Sequence, residues 1–491
     1  MDRRNFLIAG GAVAAAAALP AGALRAAALG RGEVREDVEV ARRALALHPG
    51  LHRYLTSAQV ERNLARLATD MAAAGDRAGQ FLAVQKLASS VRCGHTHCNF
   101  YNQTDQVVAE LFDRPTRLPF AFHWIGDRMI VVAAPTYDPA LPPGTEITSL
   151  NGRPPRDLLV ALMPYTRADG HNDAKRRVQL EMRNTDKFEY FDIFQGLMFP
   201  PPGGVHRIEA RRPDGGRVRI ERQAIDMTQR RATMRVADTE RDGPLWQWEM
   251  RGDVALMTMP SWVTYHTKWD WQGWLNDRLD SLAGSGARGL VIDLRDNEGG
   301  TDCGNAILSR LTGRDLELSG YRRLVRFRQT PADLDPYLDT WDRTFRTMGA
   351  DARDVGGGFY QLPGENEAFD RVSASGPRIT VPAAALISPV CSSATYAFAR
   401  RAKESGLVRL FGETSGGNLR GINGGAYFFV RLPHSGVEFD LPIVGYFPQR
   451  PRPDAGVEPD VRVDRTAVDI ASGRDRCLET ALGWIGAGPA S

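Results

Sequence analysis

From Val34 to Leu111 apolar residues recur at three- and four-residue spacing, as in VEVARRALALHP, SAQVERNLARLATDMAAA and RAGQFLAVQKLASSV. That period lines one face of a helix and predicts a helical N-terminal domain over 29–117, with Ser57 as an expected N-cap. From Leu118 to Ile225 the texture changes to short strands and turns. FAFHWIGDRMIVVAA predicts a hairpin about Gly126-Asp127, and VHRIEARRPDGGRVRIE predicts another about Pro213-Asp214-Gly215-Gly216. From Pro244 onward apolar runs alternate with amphipathic stretches. GDVALMTMPSW, ARGLVIDLRDNEGG, ITVPAAALISPV and VRLFGETSGG read as buried strands. WLNDRLDSLAGSG, CGNAILSRLTG and SSATYAFARRAKESG read as the helices between them. This alternation predicts βαβ units and a mainly parallel sheet over 244–485. An irregular, aromatic- and arginine-rich insert spans 315–371, within which TPADLDPYLDTWDRTFRTMG is an expected lid helix. The fold class is therefore α/β, in an α+β multidomain arrangement.

Between the two hairpins, LPPGTEITSLNGRPPRDLLVALMPY gives a turn, a strand, an Asn151-Gly152 turn and a helix. The order resembles the central strand and following helix of a PDZ domain, so 118–230 is either PDZ-like or another small α+β domain. PDZ domains bind peptide ends by adding a strand to a sheet edge.

Composition adds less. Of 491 residues, 43% are hydrophobic and 25% charged, which excludes a disordered or disulfide-scaffold protein. A net charge of +3 gives no footprint for nucleic acid. The first 28 residues change the picture more. Arg3-Arg4 precede Phe6-Leu7 and an Ala/Gly-rich stretch with A-x-A cleavage sites, the layout of a secretory signal. It resembles a twin-arginine export signal. Cleavage is favoured over a membrane anchor because the stretch is short and no other long apolar run follows. The mature protein is then expected to be bacterial, periplasmic or secreted, with no stable membrane span. The five cysteines, Cys93, Cys98, Cys303, Cys391 and Cys477, leave at least one thiol unpaired within the chain, and pairing of Cys93 with Cys98 stays open.

Two strand ends carry candidate chemistry. Leu290–Asp293 empties into Leu294-Arg295-Asp296-Asn297-Glu298-Gly299-Gly300, where paired glycines let backbone N–H groups turn toward one point. Ser388-Pro389-Val390-Cys391-Ser392-Ser393-Ala394 ends a strand and opens a helix. A serine there sits where free N–H groups and the helix dipole favour developing negative charge, or simply acts as an N-cap.

Read together, LVIDLRDNEGG, SSATYAFARRA, LFGETSGG and GVEPDV, in this order, resemble the tail-specific (carboxyl-terminal-processing) and tricorn-core serine peptidases. The resemblance implies a crotonase/ClpP-like catalytic core and a peptide or protein substrate. It makes Ser393 the nucleophile, and the oxyanion donors the Ala394 N–H and that of Gly299 or Gly300. In the tail-specific branch the base is a lysine just after the GE-x-T-x-G segment, but Asn418 stands there. Only five of the 62 basic residues are lysines (Lys86, Lys175, Lys187, Lys268, Lys403), and only Lys403 follows Ser393. It lies ten residues further on in the same expected helix, about 15 Å away along the axis. The tricorn-like branch instead takes a histidine from before the core. Within Cys93-Gly94-His95-Thr96-His97-Cys98, His95 is the match and His97 the reserve; on a strand the two would share a face. The same six residues offer Cys and His ligands for zinc, at a spacing that fits no standard finger, so no metal or other cofactor is expected. Where that branch has a glutamate to orient the histidine, this chain has Pro453; Asp454, Glu458 and Glu413 are the substitutes. The expected function is an exported serine peptidase. The alternatives are a catalytically inactive peptide-binding protein on the same fold and a non-peptidase serine hydrolase.

Overall fold

The computed structural model describes residues 28–133, 138–234, 243–265, 267–364 and 369–487. The segment expected to be an export signal, residues 1–28, lies outside them but for its last residue. No helix among the described residues is long and apolar enough to cross a membrane.

Helices Arg31–Ala46, Ser57–Ala73 and Arg77–Ser90 open the chain. The second is capped one residue earlier than the sequence suggests. Thr56 accepts the Gln59 N–H, and the Gln59 side chain returns to the Thr56 N–H, a reciprocal capping box. The next region builds a five-stranded antiparallel meander, Phe122–Ile125, Arg128–Val131, Glu146–Leu150, Val205–Arg211 and Arg217–Gln223. Both hairpins fall where the turn residues put them: Ile125 pairs with Arg128 across Gly126-Asp127, and Arg211 with Arg217. Asn151 and Gly152 take φ of 54° and 79°, a turn that delivers Pro155–Leu162 as a helix.

The C-terminal half holds the parallel sheet. Its strand order is Val461–Arg462, Arg409–Gly412, Ala383–Ile387, Gly289–Asp293, Val254–Thr258, with Gln247–Arg251 antiparallel at the edge. The central strands Val254–Thr258, Gly289–Asp293 and Ala383–Ile387 are buried on both faces, which is why their sequences are continuous apolar runs. The period of two divides the side chains between two cores. Leu290, Ile292, Ala383 and Ala385 pack with Leu275, Leu279, Ile307 and Phe398 of the crossover helices. Val291, Ala384, Leu386 and Phe411 face Ala481 and Ile485 of the last helix, Arg476–Ala487.

The insert is not a helical lid. Residues 330–349 form two short 3-10 turns and a two-residue strand. Pro336 opens the first turn, and Asp342 caps the second by accepting the Thr344 N–H. Four strands of the insert, Tyr321–Val325, Leu338–Asp339, Arg353–Gly356 and Phe359–Gln361, join Asn423–Arg431 and Glu438–Pro448 in a six-stranded antiparallel sheet, while Leu316–Ser319 and Phe369–Val372 pair with each other. One buried cluster runs through this sheet, the meander and the N-terminal helices, including Leu64, Phe122, Phe428 and Leu441. The three regions therefore close on one another around a shared core.

Candidate active site

Ser393 opens the helix Ser393–Ser405 with φ of 53°. A non-glycine residue in the left-handed region costs about 1–2 kcal/mol. Strain of this kind persists where the surroundings impose it, and functional sites are where it collects. Here the constraint is visible. Gly299 packs so closely on this turn that a Cβ at Gly299 would lie 2.7 Å from the Ser392 carbonyl, 2.9 Å from the Ala394 nitrogen and 2.9 Å from the Ser393 Cβ. Gly300, at φ of 133°, is pressed as hard on the Trp262 backbone, 2.2 Å from a Cβ to its carbonyl oxygen. Neither position admits a side chain.

Asn297, fully buried, holds this loop. Its amide donates to the Met259 carbonyl at 2.7 Å, and its Oδ1 accepts the Gly299 N–H and the Thr395 hydroxyl, each at 2.8 Å. The Gly299 N–H is thus committed. The N–H groups of Gly300 and Ala394 have no acceptor among the described residues. Two free donors beside a helix N-terminus suit an oxyanion. Asn297→Ala orphans three buried polar partners, so it is expected to cost about 2–4 kcal/mol of stability. A denaturant titration checks this; a loss below 1 kcal/mol would show that the loop holds itself.

The Cys93–Cys98 segment folds as turns rather than a strand, so His95 and His97 do not share a strand face. Gly94 donates its N–H to Asp169 at 2.9 Å, and Arg167 donates to the Gly94 carbonyl. On the far side the Asn423 amide donates to the Cys93 sulfur at 3.3 Å, and the Asp440 backbone N–H donates to the His97 carbonyl at 2.9 Å. His95 is partly exposed, its ring 6.1 Å from that of Tyr427, and neither ring nitrogen is hydrogen-bonded; Nδ1 is buried. Burial pushes its imidazole down to about 3, with Arg167 and Lys175 adding to the effect and Glu298 opposing it. His97 is buried against Tyr190. Cys93 and Cys98 are free thiols, and no group of three or more His, Cys, Asp or Glu among the described residues converges for a metal.

The three carboxylates expected to orient the histidine have other partners. Asp454 accepts from His171 Nδ1 at 2.6 Å and from Asn418 at 2.7 Å. Glu458 takes the Thr414 hydroxyl, and Glu413 faces Arg465. The carboxylate near His95 is Glu298, inside the glycine motif. Its Oε1 takes Lys175 at 2.8 Å and its Oε2 lies 3.5 Å from Arg167. Burial alone would raise the Glu298 carboxyl; Lys175, Arg167 and Arg183 outweigh it and hold the group below the usual carboxylate range. Ser392 donates its hydroxyl to the Glu298 carbonyl at 3.2 Å. The serine turn thus bonds Glu298, whose charge acts on His95. The sequence alone assigns neither Glu298 nor Lys175 a role, although one stands in the motif and the other is one of only five lysines.

A strained serine at a helix start with two free N–H groups beside it is an arrangement that can hold an oxyanion. Residues 253–463 match the model of Peptidase family S41, a family of serine-type peptidases. Among solved structures, mature CPAF complexed with lactacystin superposes with a TM-score of 0.64 at 16% identity, covering 93% of this chain and 99% of that one. Mature CPAF on its own gives 0.60 at 16% identity, over 94% and 99%. At such identity these share the fold. No curated protein matches the chain by sequence.

Proposed function

We propose that the chain is an exported serine peptidase in which Ser393 is the nucleophile and His95 the general base. The observation that carries the reading is the left-handed Ser393 pressed against Gly299. His95, neutral at pH 7, takes the Ser393 hydroxyl proton as Oγ attacks the peptide carbonyl. The tetrahedral oxyanion is held by the Ala394 and Gly300 N–H groups, since Asn297 occupies that of Gly299. His95 then gives its proton to the leaving amine. Water, deprotonated by the same imidazole, releases the acyl group as a carboxylic acid and restores Ser393. The scheme uses no cofactor. The twin-arginine-like leader supports a periplasmic or secreted location, and the five-stranded meander is a candidate for presenting the substrate by edge addition.

One observation favours peptide binding without turnover: His95 Nδ1 has no carboxylate partner. Labelling separates the two readings. The mature chain is expected to react with a fluorophosphonate probe at Ser393 and to cleave an unstructured protein substrate. Folded protein that does neither is a binding protein.

A further inference from the structure

Lys175 is 1% exposed and lies in the helix Asp173–Gln179, far upstream of the serine. Its ammonium donates to Glu298 Oε1 at 2.8 Å and to the Val390 carbonyl at 3.0 Å. Three residues earlier, the Asn172 amide donates to the Ser415 and Gly417 carbonyls at 2.8 and 3.1 Å. One short helix therefore touches the loops after three adjacent parallel strands, including the glycine loop and the turn into the serine helix. The path continues beyond Glu298. Arg167 approaches Glu298 Oε2, donates to the Gly94 carbonyl beside His95, and is held by the Tyr190 hydroxyl at 2.8 Å.

We propose that Lys175, Glu298 and Arg167 form a positioning strut that fixes the serine turn, the oxyanion loop and the His95 turn relative to one another. This rests on the Ser393–His95 reading above. Lys175 is read as a positioning residue: two of its three ammonium hydrogens go to the Glu298 carboxylate and the Val390 carbonyl, and Glu298 opposes the burial that lowers its proton affinity. A buried lysine is costly to desolvate and needs such partners to persist. A purely structural ion pair would serve the fold equally well, so the test must read the chemistry.

The charged and titratable groups around His95 are Arg167, Lys175, Glu298, His97, Cys93 and Tyr427. Lys175 lowers the proton affinity of His95 and Glu298 raises it. Lys175→Met and Glu298→Gln are each expected to lower kcat about 10- to 100-fold, since misplacement near 1 Å costs this much, with KM changed less than about threefold. The acid limb of kcat/KM should move up in pH for Lys175→Met and down for Glu298→Gln. Equal loss with an unmoved limb, or limbs that move together, would overturn the strut. So would complete loss in Lys175→Met with the limb abolished, which would make Lys175 the base. If a single variant does not fold, the neutral double variant carries the test: lowered kcat supports the strut and wild-type kcat overturns it. Wild-type protein that fails to label or hydrolyse would instead sink the Ser393–His95 reading, so the two failures are distinguishable.

Discussion

Ser393→Ala is expected to lose about 10⁴-fold or more in kcat and all fluorophosphonate labelling, while unfolding at the same temperature as wild type. Alanine keeps the Cβ and therefore the left-handed strain, so the backbone of the turn has no reason to move. Ser392 supplies the internal control. Its hydroxyl is already donated to the Glu298 carbonyl, so Ser392→Ala should cost less than about tenfold. A third variant reads the strain itself. Ser393→Gly removes the Cβ that makes φ of 53° costly, and should gain about 1 kcal/mol of stability while remaining inactive. A more stable but dead enzyme is the signature of a residue kept for chemistry at the expense of the fold. Retention of more than a tenth of wild-type activity in Ser393→Ala, or equal losses at both serines, would remove Ser393 as nucleophile.

The same residue shows what could be read before the fold was known. The strands of the parallel sheet were legible because burial on both faces forces continuous apolar runs, and glycine or a polar cluster ends each. Ser393 and Gly299-Gly300 sit at two such ends. Their chemistry is local to a turn, and a turn is written in a few adjacent residues. The antiparallel sheet was not legible. Its central strand Glu438–Pro448 pairs with Tyr321–Val325 more than a hundred residues away, and that register is set by tertiary packing. Residues 330–349 carry aromatic residues at near-helical spacing, but Pro336 and the side-chain caps break them into turns, and Trp341 packs on Tyr427 and Phe429 instead. The base argument shows the same division. Lysine scarcity points away from Lys403, which in the fold pairs with Asp460. The lysine that reaches Glu298 comes instead from 123 positions before it. The segment before GVEPDV offers Asp454 as the orienting acid, whereas in the fold Asp454 accepts from a different histidine, His171.

Removing the imidazole tests the other half of the mechanism. His95→Ala is expected to lower kcat about 10³- to 10⁴-fold with little change in KM, because the base acts in the transition state rather than in binding. The wild-type pH profile gives a second, signed readout. Catalysis needs neutral His95, and burial with two nearby cations pushes its proton affinity down to about 3, far under the ordinary 6.5. As pH falls through 6.5 an ordinary histidine would protonate and activity would fall tenfold per pH unit. Here the neutral form persists, so kcat/KM should hold through pH 5 and decline only well below it. His97 provides the contrast: it is buried against Tyr190, and its replacement by alanine should act on stability, leaving kcat of the folded fraction within about tenfold of wild type. An acid limb at 6.5 or above would mean that His95 is solvated or gains a carboxylate partner in the working enzyme. Near-normal activity in His95→Ala, with loss in His97→Ala, would transfer the base to His97. A base held so far below neutrality is a weak proton acceptor in the free enzyme. Burial depresses it most, and Arg167 and Lys175, the same cations that grip Glu298, add to the effect. Rigid placement of the serine, glycine and histidine turns is then obtained at some cost in basicity, and Lys175→Met should show that cost as a lower kcat with its acid limb nearer neutrality.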